Sequence, residues 1–184
     1  MPVTKADQHA ALAHYRRLYP ADLDYEPLEY FISRVDMTSP HTRMHLAVEA
    51  LVLSPDQDRV LHHRQGGARA LPGGHLCERD TTLVGAAARH ILTSTGLSGD
   101  HLAIRHTGPV LLRHAFAPAV PGEDGPPGDH HHLVCTVLFG SDVIKWSSRQ
   151  PGAVWRPLHD LSVGLCSRLQ FALSRRSARA ARAG

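Results

Sequence analysis

The sequence predicts an α/β domain in which helices sandwich a mixed β-sheet, with a helical extension at the N-terminus. Three observations support this class. Strand patterns precede, flank and follow one strongly helical segment, a Pro-Gly-Gly turn leads into that segment, and helical spacing marks both ends of the chain. With 184 residues, the chain is long enough for one domain with a sizeable core.

Two helical patterns occupy the N-terminal segment. KADQHAALAHYRRLY carries apolar and small residues at helical spacing, and EPLEYFISRV predicts a second, shorter helix with Pro27 near its first turn. We therefore divide the chain into a helical extension (residues 1–40), a main domain (41–174) and a basic C-terminal tail (175–184).

The main domain begins with a predicted β-hairpin. In TRMHLAVEALVLSPDQDRVLHHR, the residues His45, Ala47 and Glu49 alternate with apolar neighbours, and SPDQD supplies the turn. One or two strands are predicted in HLAIRHTGPVLLRHAFAP, another in HHHLVCTVLFGS, and a short strand with a turn in AVWRPLHDL. A last helix is predicted in GLCSRLQFALSRR.

The central helix follows ARALPGG. We expect Asp80 to cap its N-terminus and Gly96 to take the left-handed position at its C-terminus. Its apolar stripe should consist of Leu83, Val84, Ala87, Ala88, Ile91 and Leu92.

Composition excludes several classes of protein. No apolar run approaches the roughly 20 residues that cross a bilayer, and the N-terminus lacks the apolar core of a secretion signal, so we expect a cytoplasmic protein without membrane contact. The three cysteines form no CxxC pair, which predicts neither a disulfide framework nor a zinc knuckle. We expect them to be buried thiols.

The net charge of +3 comes from the C-terminus, where five arginines and no acid follow Asp160. Without those five arginines the remainder carries 3 − 5 = −2. The arginine-rich end has no aromatic residue with which to stack on bases, so a nucleic-acid partner is not expected. A homo-oligomer is left open.

The stretch LPGGHLCERDTTLVGAAARHILTSTGL resembles the Nudix box, in which a glycine turn precedes a helix bearing Arg-Glu and paired glutamates. VWRPLHDL is similar to a late Trp-x-Pro-Leu element of the same family. The resemblance extends over residues 43–161 and implies a Nudix-type α/β/α sandwich. The matching box positions are Gly73, Gly74, Arg89, Ile91, Gly96 and Leu97.

The departures from this box concern its chemistry. The family's helix glutamates hold Mg²⁺ or Mn²⁺, whereas the corresponding positions here are His90, Thr93 and Ser94. Mg²⁺ needs hard anionic oxygens, so we do not expect it at this helix face. An imidazole suits softer metals, which makes a histidine-ligated transition metal the alternative cofactor.

Acids outside the helix are the candidate replacements for its missing glutamates. Asp80 and Glu78 lie in the turn before the helix, and we consider a metal site formed by His90 with either of them. Glu123, Asp124 and Asp129 lie in or beside a Pro/Gly-rich loop, where solvated charges are the simpler interpretation. In the family, the box arginine organises the loop through ion pairs, and Glu78 or a backbone carbonyl is the expected partner of Arg89.

Fifteen histidines are unusual for this length. In the triplet of the predicted strand, His130 and His132 share one face and His131 takes the other, so we do not interpret the triplet itself as a metal cluster. The candidate catalytic residues are His90, Glu78, Arg89 and Asp80. The candidate substrate-binding residues are Gly73, Gly74, His75, His45, Glu49, His130 and His132.

Three functions remain open. The first is a repurposed Nudix-fold enzyme acting on a small molecule, nucleotide-derived or not, in bacterial specialised metabolism, with histidines as acid, base or metal ligands. The second is a divergent diphosphate hydrolase that draws its metal ligands from Glu78, Asp80 and a loop acid. The third is a non-catalytic module that binds a nucleotide or sugar-nucleotide.

Overall fold

The computed structural model describes residues 3–19, 43–65, 68–106, 108–117, 129–144 and 152–180, with the backbone alone at 65, 117 and 175–180. Within these ranges the chain forms eight strands and three α-helices. The helices are α1 (Lys5–Leu18), α2 (Leu83–Thr95) and α3 (Val163–Ala180). The strands are β1 (Met44–Leu53), β2 (Arg59–Gln65), β3 (Ala68–Ala70), β4 (Gly73–His75), β5 (Leu102–Ile104), β6 (Leu111–Ala117), β7 (His130–Ser141) and β8 (Val154–Pro157).

The sheet is mixed, as predicted. Strands β1 and β7 pair in parallel along the whole of β1, from Met44 opposite His131 to Leu53 opposite Gly140. The other pairings are antiparallel, including the predicted hairpin of β1 with β2 and the contacts of β4 with β1 and of β6 with β7. β1 and β7 therefore each have paired strands on both sides. This central position explains why the two strands are apolar over most of their length.

Successive side chains of β1 point to opposite faces of the sheet, so the strand contributes to two hydrophobic cores, one on each face. Leu46, Val48, Ala50 and Val52 belong to the core that includes α1 and α2, whereas Leu51 and Leu53 belong to the core beneath α3. The α2 side supplies Leu83, Ala86, Ala87 and Ile91, and the α3 side supplies Leu165, Leu169 and Ala172. This arrangement confirms the predicted fold class of a sheet between helices.

Helix α2 departs from expectation at its start and on one face. Its N-cap is Thr82, whose hydroxyl accepts a hydrogen bond from the amide of Gly85 at 2.9 Å. The prediction that Asp80 caps the helix was wrong, because that carboxylate is bound to other groups described below. Leu92 is 51% exposed and Ala86 is fully buried, so the stripe is rotated slightly from its predicted position. Gly96 has the predicted left-handed conformation, with φ of 73°.

The first and last predicted helices are both present. Helix α1 forms as predicted and begins with a capping box between Thr4 and Asp7. The second predicted helix, within EPLEYFISRV, lies outside the described residues. Helix α3 continues to Ala180, so residues 175–180 of the predicted basic tail are helical, and the division of the chain at residue 174 stays a prediction.

The cysteines are not uniformly buried. Cys135 is buried, but Cys166 is only partly buried and Cys77 is exposed in the turn before α2, so the expectation of three buried thiols was wrong. Within the described part of the chain, no helix has the length and apolar character needed to cross a membrane.

Candidate metal centre

Four histidines converge on the sheet face that also carries α3, near the N-terminal end of β1. His45 comes from β1, His75 from the end of β4, and both His130 and His132 from β7. Each offers one ring nitrogen, and these four atoms lie within 4.8 Å of one another. Within the described ranges, this is the group of metal-ligand side chains that the fold brings together.

The strand pairing explains the convergence. His45 lies directly opposite His132 in the parallel pair, and His130 is two residues before His132 on the same face. His75 lies opposite Ala47, which is two residues after His45, so its side chain reaches the same face. Three strands thus carry four imidazoles to one place, although the residues are far apart in sequence.

The spacing of the rings suits a shared ion. The Nε2 atoms of His75 and His132 are 2.8 Å apart. Nitrogens that bind one ion at about 2.0–2.1 Å lie roughly 3 Å apart when they occupy adjacent positions. The ring centroids of the four histidines are separated by 4.7–5.7 Å.

Burial keeps one member of the cluster, His132, neutral. His45 and His130 are 2% and 5% exposed, whereas His75 and His132 are half-buried. Burial lowers the pKa of His132 to about 3, and the neighbouring histidines act in the same direction. The imidazole of His132 therefore keeps a lone pair at neutral pH, which is the form that binds metals. Neutral imidazoles suit zinc, copper, iron or nickel, and they are poor ligands for magnesium.

The backbone of His75 is held from the opposite face. Its carbonyl oxygen accepts a hydrogen bond from Nη2 of Arg89 at 3.0 Å and another from Nε2 of His90 at 2.9 Å. Both donors lie on α2. The helix therefore fixes the turn from which the His75 side chain enters the cluster.

Asp80 completes this support. Its carboxylate accepts two hydrogen bonds from Arg89, at 2.9 Å from Nε and 2.6 Å from Nη2, and one from the amide of Cys77 at 2.8 Å. Burial alone would raise the pKa of Asp80, but the hydrogen bonds and the charge of Arg89 outweigh it and hold the pKa below its usual value. Asp80 is thus an ionised partner of the motif arginine. Of the carbonyl and Glu78 that we proposed for Arg89, the structure shows the carbonyl.

The two glycines of the turn are required by close packing. A Cβ at Gly73 would lie 2.5 Å from the carbonyl oxygen of Val48, and one at Gly74 would lie 2.6 Å from Cε1 of His90. Their absence of side chains allows β4 to approach β1 on one side and α2 on the other. Their proposed contact with substrate stays a prediction.

A polar triad lies farther along the same sheet face. Glu49 accepts a hydrogen bond from Nη2 of Arg113 at 3.0 Å and another from the hydroxyl of Thr136 at 3.1 Å. Arg113 lies on β6 opposite Val134, which is two residues after His132 on the face of the cluster. Arg113 and Thr136 were not predicted, because the pairings that bring them to Glu49, β6 with β7 and β7 with β1, have no local signature in the sequence.

The structure thus divides the predicted site residues into two groups. The four histidines that we assigned to substrate binding form the cluster, and Arg89, His90 and Asp80 lie behind it as support. Glu78 is exposed in the turn and has no place in the cluster. The alternative metal grouping of His90 with Glu78 or Asp80 gains no support, since Arg89 engages Asp80 and the His75 carbonyl engages His90.

The remaining predicted positions add little to the cluster. The hydroxyls of Thr93 and Ser94 donate hydrogen bonds back to helix carbonyls of Arg89 and His90. The lack of Mg²⁺ at this helix face stays a prediction. Asp129 is exposed just before β7, whereas Glu123 and Asp124 lie outside the described residues.

Comparison with known proteins finds similar solved structures. No family model and no curated protein matches the sequence. A Nudix hydrolase structure from M. smegmatis is 23% identical, over 73% of this chain and 86% of that one, with a TM-score of 0.46. An Ap4A hydrolase structure from C. elegans is 14% identical, over 72% and 97% of the chains, with a TM-score of 0.48. The likeness is one of fold.

Proposed function

We propose that this protein is a metalloenzyme in which His45, His75, His130 and His132 hold a transition-metal ion that acts on a small molecule. The convergence of four imidazole nitrogens within 4.8 Å is the observation that carries the proposal. Imidazole nitrogens are among the commonest metal ligands in proteins, and four of them from three strands can surround one ion.

The donor set selects the class of metal. Four neutral nitrogen ligands and no carboxylate favour zinc, iron, nickel or copper over magnesium or calcium. Such an ion, when bound, supplies a Lewis acid or activates a water molecule. The chain's own contribution is to fix the ligands, with Arg89 and His90 holding the His75 backbone and the parallel pair of β1 and β7 holding the other three.

The diphosphate-hydrolase alternative is less well supported. It needs carboxylates from Glu78, Asp80 and a loop acid. Two hydrogen bonds from Arg89 engage Asp80, and its ionised form is already stabilised by that ion pair. The helix positions that would carry glutamates carry His90, Thr93 and Ser94 instead.

The biological setting remains a proposal as well. The alanine- and arginine-rich composition favours a GC-rich bacterial host, and we place the reaction in the cytoplasm and in specialised metabolism. The substrate is a small molecule, and turnover is what separates this function from that of a non-catalytic binding module.

A metal titration tests the proposal. The full chain, stripped with a chelator, is titrated with Zn²⁺, Ni²⁺, Co²⁺ and Mg²⁺, and both stoichiometry and thermal stability are measured. We expect one transition-metal ion per chain and a stabilisation of about 2.7 kcal/mol at a hundredfold excess over the dissociation constant. Mg²⁺ should give no comparable shift.

Matched variants locate the site. His45→Gln and His132→Gln should each weaken binding by at least tenfold. His131→Gln is the control, because it lies in the same strand on the opposite face and contacts His114. Equal losses in all three variants, or a full shift with Mg²⁺ in the natural protein, would contradict the proposed centre.

A further inference from the structure

We infer that the segment preceding α1 is a positioning part of the metal centre, because the backbone amide of Val3 holds the turn that fixes the ligand His75. This inference rests on the proposed function, since it takes the four-histidine metal ion as given. It connects helix α1 with the cluster through a residue that neither the box motif nor the predicted site includes.

A buried hydrogen bond joins the segment before α1 to the turn before α2. The amide of Val3 donates it to the backbone carbonyl of Asp80 at 2.9 Å. Both residues are buried, with Val3 6% and Asp80 5% exposed. Breaking such a bond leaves two buried backbone groups without a partner, which is costly. The start of α1 is therefore fixed against the turn that carries Asp80.

The helix that follows Val3 holds the donor in place. Thr4 caps α1, and both its amide and its hydroxyl donate hydrogen bonds to the carboxylate of Asp7 at 2.7 Å. Leu12 and Tyr15 of the same helix are buried in the core that also contains residues of α2. The position of the Val3 amide is therefore set by a capped and packed helix.

Asp80 is the junction between this helix and the turn. Its amide donates a hydrogen bond to the carbonyl of Cys77 at 2.9 Å, and its carboxylate accepts hydrogen bonds from Arg89 and from the amide of Cys77. These two partners belong to the same turn and to the helix that follows it. Among the described residues, Val3 is the partner of Asp80 that comes from another part of the chain.

Arg89 connects Asp80 to the metal ligand. Its Nη2 donates one hydrogen bond to the Asp80 carboxylate at 2.6 Å and another to the carbonyl of His75 at 3.0 Å. Contacts therefore run without interruption from Val3 through Asp80 and Arg89 to His75. Because the coupling between two equilibria is reciprocal, a metal ion that orders His75 must in turn stabilise the Val3 contact.

Zn²⁺ titrations of the full chain, in competition with a chelator, test the inference. Val3→Pro removes the donating N–H and should weaken Zn²⁺ binding by about three- to tenfold, the range that one net hydrogen bond can supply. Val3→Ala is the conservative variant, because it loses side-chain packing but keeps the N–H. It should lower Tm and retain the Zn²⁺ affinity of the natural protein. A bond that only tethers α1 would lower Tm in both variants and leave both affinities unchanged.

Hydrogen exchange of the full chain measures the coupling in the other direction. The Val3 amide should exchange about three- to tenfold more slowly when Zn²⁺ is bound, since the coupling factor is the same in both directions. Failure of the natural chain to bind Zn²⁺ would overturn the proposed metal centre and this inference with it. Unchanged affinity in Val3→Pro, equal losses of affinity in both variants, or Val3 exchange that ignores Zn²⁺ would overturn the inference alone.

Discussion

At the residue scale, His75 connects the two halves of the site. Its imidazole enters the histidine cluster, while its carbonyl oxygen is held by Arg89 and His90 from α2. Arg89 and His90, which lie in the stretch that resembles a Nudix box, therefore act on the cluster through the backbone of one ligand. In this account their role is positioning, and the metal ligands come from elsewhere in the sheet.

Removing the Asp80 carboxylate should expose this dependence. Asp80→Asn breaks a buried pair with Arg89 and should lower the free energy of unfolding at pH 7 by about 2–3 kcal/mol. Metal affinity should fall as well, because Arg89 loses the partner that holds it against His75. Urea denaturation and a Zn²⁺ titration of both proteins measure the two effects.

The same pair predicts a pH dependence. The folded-state pKa of Asp80 lies below its ordinary value of 3.8, so the pair gives its full stabilisation above that pH and loses it as pH falls through the folded-state pKa. The stability difference between the natural protein and Asp80→Asn should be constant from pH 7 to about 5 and shrink below pH 4. A difference that grows on acidification would show that another group controls it.

At the element scale, the position of the short strand β4 determines where the side chain of His75 lies. It can lie against β1 only because Gly73 has no side chain, since a Cβ there would meet the Val48 backbone at 2.5 Å. Backbone cannot move aside as a flexible side chain can, so the whole strand must shift to accept a substituent.

Gly73→Ala should therefore lower stability by about 1–3 kcal/mol and weaken transition-metal binding, as His75 moves with its strand. Gly99→Ala is the control, because a Cβ at that glycine meets no atom within 4 Å. Thermal unfolding with and without Zn²⁺ measures both consequences. Unchanged metal affinity in a clearly destabilised Gly73→Ala protein would argue against His75 as a ligand.

The sequence predicted much of the element order because the signals are local. Alternation marked β1, a left-handed glycine marked the end of α2, and the faces of His130 and His132 followed from the period of a strand. The predictions failed where partners are distant in sequence. Asp80 was interpreted as a cap because its ion pair with Arg89, nine residues away, was not visible in the local pattern.

The histidine cluster also depends on residues that are distant in sequence. All four histidines were named as site residues, yet their meeting depends on the parallel register of β1 with β7 and the antiparallel register of β4 with β1. Registers between distant strands are set by the packing of the whole sheet, so they cannot be derived from the segments alone.

At the scale of the whole molecule, α3 and the histidine cluster share one sheet face at opposite ends of β1. Leu169, 2% exposed on α3, packs in the core with Leu51 and Leu53, while His45 lies at the other end of the strand.

Leu169→Ala should cost about 3 kcal/mol of stability and leave metal stoichiometry unchanged. Val163→Ala, on an 85% exposed position of the same helix, should leave both nearly unaltered. Loss of metal in Leu169→Ala would show that the two ends of this face are coupled.

The central claim is that four histidines provide the metal ligands, and X-ray absorption on the Zn²⁺-loaded full chain tests it most directly. The account predicts a first shell of nitrogen at about 2.0–2.1 Å, with the outer-shell scattering of three to four imidazoles. His132→Gln should remove one imidazole from that count, and His131→Gln should remove none. A first shell dominated by oxygen, with at most one imidazole, would contradict the account and place the metal at carboxylates instead.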